Sequence, residues 1–162
     1  MRFVIALALL VGGCASTSQL PPNARSIQYD LSPGLMGDYG YSLTIVATGQ
    51  GRVEEWSRDP RNWKRGVTRR WDIRLPPDRF DAFEAALRGY RPAGDVRLDD
   101  ETSCRSYTPD APTVRIRWSE AGLALGSLLY DFGCDPETRR EWADRLLASP
   151  RVLGIPNVPR SR

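Results

Sequence analysis

Apolar and polar residues alternate in several short stretches of this chain and recur at helical spacing in two. Tyr41, Leu43, Ile45 and Ala47 alternate with Ser42 and Thr44, the period of a strand with one buried face. The following T-G-Q-G, residues 48–51, permits positive φ and predicts a hairpin into residues 52–57. Trp71, Ile73 and Leu75 share one face of the next strand, and Arg70, Asp72 and Arg74 share the other, as in a half-exposed antiparallel sheet. Val114, Ile116 and Trp118 repeat the pattern. Residues 119–122 form a turn, and 123–132 return as a more central strand with a bulge at Gly126. Residues 26–31 alternate weakly and predict a first strand.

Helical spacing replaces this alternation after Leu75. Pro76-Pro77-Asp78 suits a first turn, and Phe80, Phe83, Leu87 and Tyr90 then line one face until Gly89 and Pro92 end the helix. Residues 93–112 read as an acidic loop. Asp135 is an expected N-cap for a second helix over 136–148, with Trp142, Leu146 and Leu147 turned inward. This order predicts an α+β fold: an antiparallel sheet of about five to six strands with two helices packed on one face.

The N-terminus follows a different rule. Arg2 precedes a nine-residue apolar run, residues 3–11, and then Gly12 and Gly13. That is the layout of a secretory signal peptide, too short for the ~20 residues that span a bilayer as a helix. Val11-Gly12-Gly13-Cys14 resembles the lipobox of bacterial lipoproteins. The resemblance implies cleavage before Cys14, lipidation of its thiol and acylation of the new amino terminus, palmitate being typical. Two or three chains then make a stable membrane anchor. Ala15 in place of aspartate implies the outer membrane, facing the periplasm. Residues 1–13 would be the cleaved signal peptide, 14–25 a lipidated start and tether, and 26–162 one globular domain. The run from L-P-P-D-x-F to D-F-G-C also resembles small bacterial envelope lipoproteins, which adds an architecture but no activity.

With Cys14 assigned to lipid, Cys104 and Cys134 remain as a pair, and an exported protein favours their disulfide. The hairpin centred on 118–123 supports this independently, because it carries Cys134 back to the end of the sheet near Cys104.

Composition then narrows the chemistry. A net charge of +3 is too small to imply nucleic-acid binding. All but Lys64 of the 23 basic residues are arginine, a skew that a GC-rich genome also produces. The chain has no histidine, which removes histidine-based triads and histidine-ligated metals. No cofactor-binding, metal-binding or catalytic motif is expected. Asp95, Asp99, Asp100 and Glu101 cluster as a solvated acidic loop, with carboxylate catalysis on glycan or lipid as the sharper alternative. Arg58, Arg61, Trp63, Lys64 and Arg65 form a candidate interaction surface for anionic headgroups or a protein partner. The expectation is a monomeric, non-catalytic, membrane-anchored envelope lipoprotein with a binding role. The alternatives are an inhibitor of a lytic or proteolytic enzyme and a carboxylate-dependent hydrolase.

Overall fold

The computed structural model describes residues 20–155 apart from 22, 35–38 and 60–63. Four strands come first: β1 (Ser26–Ser32), β2 (Tyr39–Val46), β3 (Gln50–Arg58) and β4 (Arg65–Arg74). Helix α1 (Pro77–Leu87) follows, then β5 (Asp95–Leu98), β6 (Thr113–Glu120), β7 (Leu123–Asp131) and α2 (Pro136–Ala148). A 3₁₀ turn extends each helix, at Arg88–Tyr90 and Ser149–Leu153.

The strands make one seven-stranded sheet in the order β4-β3-β2-β1-β6-β7-β5. All neighbours are antiparallel except β5, which lies parallel to β7. The α+β class therefore holds, while the sheet is mixed and one strand larger than expected. The extra strand comes from D-V-R-L in the supposed loop. Val96 and Leu98 do alternate with Asp95 and Arg97, but four residues are too short a run to stand out from a loop, and pairing with Ser127–Tyr130 supplies the order instead.

Register puts one face of the sheet under the helices. Tyr29 sits opposite Leu43 and Ile116, and Ile116 opposite Leu128. Those residues join Phe80, Phe83 and Leu87 of α1 and Leu146 of α2 in one core. Each such side chain, fully buried, contributes roughly 1.5–3 kcal/mol. Tyr29 is completely buried and donates its hydroxyl to the Leu146 carbonyl at 3.3 Å. Its ring lies 6.2 Å from Phe83, so it ties both helices to the sheet centre. Among the described residues no helix is long and apolar enough to cross a membrane.

Two local expectations change in detail. Gly49 does turn the β2–β3 hairpin, at φ 80, with its carbonyl held by the Leu75 N–H. Asp135 does not cap α2 with its side chain. Its backbone is left-handed at φ 51, and its carboxylate instead accepts the Ser106 N–H at 2.9 Å and faces Arg139 at 3.3 Å. The partner lies 29 residues away, beyond the reach of a local pattern.

Candidate functional site

The helices cover one side of the sheet, and the other side is polar and open. Strand alternation alone sends these residues outward. One row across the sheet reads Asp72, Arg52, Thr44, Gln28, Arg117, Ser127 and Asp95. The adjacent row reads Arg70, Glu54, Ser42, Asp30, Arg115, Leu129 and Arg97. Toward the β4 side the charges are matched: Arg52 pairs with Asp72 at 2.8 Å and Arg70 with Glu54 at 2.6 Å.

The centre is different. Gln28, Asp30, Ser42, Arg65, Arg115 and Arg117 line a depression of about 420 Å³. Gln28 acts as a clip, donating its amide to Asp30 at 3.2 Å and accepting from Arg117 at 3.2 Å. Arg115 stands opposite Asp30 in the register, yet among the described residues it forms no ion pair. The lining therefore holds three guanidinium groups against one carboxylate.

Arg65 reaches this centre from the far strand. Its guanidinium lies 4.0 Å from the centre of the Trp56 ring and donates to Ser42 Oγ at 2.9 Å. Trp56 lies flat over Gly40, where a Cβ would strike the indole. The indole Nε1 is buried without a hydrogen-bond partner among the described residues. Burial lowers the pKa of Arg65, with Asp30 and Glu54 pulling the other way. An arginine keeps its charge regardless, so the result is a fixed, partly desolvated cation at the rim.

The sequence-level candidates are scattered by comparison. Arg58 pairs with Arg65 at the ends of β3 and β4, Lys64 is exposed beside them, and Arg61 and Trp63 lie outside the described residues. Among the described residues of that surface, Arg65 alone belongs to the depression. Cys14 also lies outside the described residues. Cys104 and Cys134 are joined by a disulfide with their Cα atoms 5.3 Å apart. The acidic residues do not converge: Asp95 accepts from Ser127, Asp99 from Arg97, and Asp100 from Thr102 and Ser103. Among the described residues no group of three or more acidic or cysteine side chains could hold a metal ion.

One carboxylate is chemically distinct. Asp131 is 5% exposed, and burial raises its pKa. The Gly133 N–H at 2.7 Å and the Tyr107 hydroxyl at 3.2 Å oppose that rise. These bonds brace the corner around the Tyr107–Cys134 bridge. Sequence reading missed Asp30, Arg115 and Arg117. Their signal was present in T-V-R-I-R-W, whose inward Val114, Ile116 and Trp118 force both arginines outward.

Fold and site together define an α+β sheet protein with one helix-covered face and one open, arginine-lined face. No family model matches the chain. The chain is 38% identical over 79 residues to methionine aminopeptidase 2-1 of Ajellomyces capsulatus and to methionine aminopeptidase 2-2 of Leptosphaeria maculans. Methionine aminopeptidase 2 of Paracoccidioides brasiliensis matches at the same identity and length. Each match covers 49% of this chain and 16% of the relative, so the chain spans about a sixth of the relatives' length.

These similarities correct several expectations. The matched proteins are named as methionine aminopeptidases, against the expected non-catalytic lipoprotein and its inhibitor alternative, and their name points to peptides where the hydrolase alternative expected glycan or lipid. They come from fungi, against the expected bacterial envelope, outer membrane and periplasm. A short apolar leader ending in a cysteine is a local pattern of 14 residues.

Proposed function

We propose that this protein has a peptidase-like function, directed at polypeptide substrates, with the open sheet face as the surface that holds the peptide. The observation that carries this reading is the 38% identity to fungal methionine aminopeptidase 2 over 79 residues. The geometry supports it. An extended peptide has the same two-residue side-chain period as the strands beneath it. The face also offers arginine forks, hydroxyls and an amide to side chains and backbone carbonyls.

The test is direct. Purified full-length chain is incubated with short peptides beginning in methionine, and the products are read by mass spectrometry. Release of the first residue in proportion to protein, abolished by heat denaturation, is expected. Peptides that stay intact over prolonged incubation at high protein concentration would refute the proposal.

A further inference from the structure

We infer that the open face selects peptides with acidic side chains at alternate positions, held by Arg115 and Arg117 with a third anionic group reaching Arg65. This names the substrate class of the site just described and rests on that reading for the ligand being a peptide.

Spacing comes first. Arg115 and Arg117 are two residues apart on β6 and project from the same face. Positions i and i+2 of a strand are separated by about 6.6 Å. Acidic residues at n and n+2 of an extended peptide have the same separation, so two carboxylates meet two guanidinium groups without distorting either chain. Arg65 lies across the depression, bonded to Ser42 on β2. Strands β2 and β6 flank β1, so that group stands roughly two strand spacings, about 10 Å, from β6.

Charge gives the sign. Toward β4, Arg52 and Arg70 are taken by Asp72 and Glu54. At the centre Arg115 has no ion pair among the described residues, although Asp30 is its register partner, because the Asp30 carboxylate is turned to Gln28. Among the described residues Arg117 is held through the neutral Gln28 amide oxygen, and Arg65 through a hydroxyl and an indole ring. Arg117 and Arg65 are thus directed by neutral partners, and none of the three guanidinium groups is ion-paired among the described residues, the Asp30 and Glu54 carboxylates acting on Arg65 only at a distance. Such placement favours carboxylates, which accept charge-assisted forks, and disfavours basic peptides, which would meet three like charges.

The experiment uses the full chain and fluorescein-labelled ten-residue peptides with Glu, Gln or Lys at alternate positions, read by anisotropy. The Glu peptide is expected to bind about tenfold more tightly than the Gln peptide, and the Lys peptide not to bind. Raising salt to 0.5 M should weaken the Glu complex. The R115A/R117A variant should lose about tenfold for Glu and little for Gln, while R140A on the exposed side of α2 should change nothing. Urea midpoints equal to the parent establish that the variants fold. Equal affinity for Glu and Gln peptides, or full retention in R115A/R117A, overturns the inference. Release of methionine without any Glu preference removes this inference and leaves the peptidase-like reading. Arginine-dependent Glu binding without release does the reverse.

Discussion

Reducing the Cys104–Cys134 bond tests how the corner between β7 and α2 is held, without changing any side chain's identity. The bridge closes a sequence separation of 30. In the chain-entropy account a loop of that size restricts the unfolded chain by about 12 cal/mol/K, or about 3.6 kcal/mol at room temperature. That figure is the contribution of the unfolded chain alone. Non-covalent links join the same segments: Thr108 N–H to the Gly133 carbonyl at 2.9 Å, Asp135 N–H to the Ser106 carbonyl at 2.7 Å, and Ser106 N–H to the Asp135 carboxylate at 2.9 Å. They keep the native corner assembled after reduction, so the loss is the unfolded-state entropy and little more. We expect about 2–4 kcal/mol. With a urea slope near 2 kcal/mol/M, the midpoint should fall by about 1–2 M. The assay is urea unfolding followed by tryptophan fluorescence, with and without dithiothreitol, the thiols counted at each point. Midpoints within about 0.3 M of each other would refute the entropic account. A reduced chain already unfolded in buffer would refute the claim that the hydrogen bonds hold the corner alone.

Two further perturbations address single positions. Asp131 keeps its proton to higher pH in the folded chain than at the ordinary value of 3.8. Folding therefore takes up a proton above that value, and its contribution falls as pH rises through the raised folded pKa. D131N should remove that decline, so the variant gains on the parent between acid and neutral pH in urea titrations; parallel stability curves would contradict it. Gly49 sits at φ 80 and its missing Cβ faces the Leu75 carbonyl. G49A should cost about 1–3 kcal/mol or more by thermal or urea unfolding, and an unchanged midpoint would mean the turn has a second conformation.

Local physics made much of the sheet legible. Wherever a strand has one wet face, the period of two is written into it, as in residues 41–47, 70–75 and 113–118. The bulge anticipated at Gly126 falls beside it, where Trp118 pairs with Gly126 but Ser119 with Ala124. Both helices were legible from proline starts and apolar spacing. What escaped was non-local. β5 exists because β7 offers it an edge, and Asp135 serves Ser106 because the chain returns there.

The functional surface divides along the same line. By itself the sequence determined that Arg115 and Arg117 point away from the core, since their apolar neighbours must point in. It equally determined that no histidine takes part. Only the tertiary structure decided that Asp30, from the first strand, Ser42, from the second, and Arg65, from the fourth, meet those arginines around one depression. That meeting depends on strand order, and strand order is set by which hydrophobic faces bury together across the whole sheet. A cross-strand neighbour 85 residues away, such as Arg115 to Asp30, leaves no period in the chain to be read.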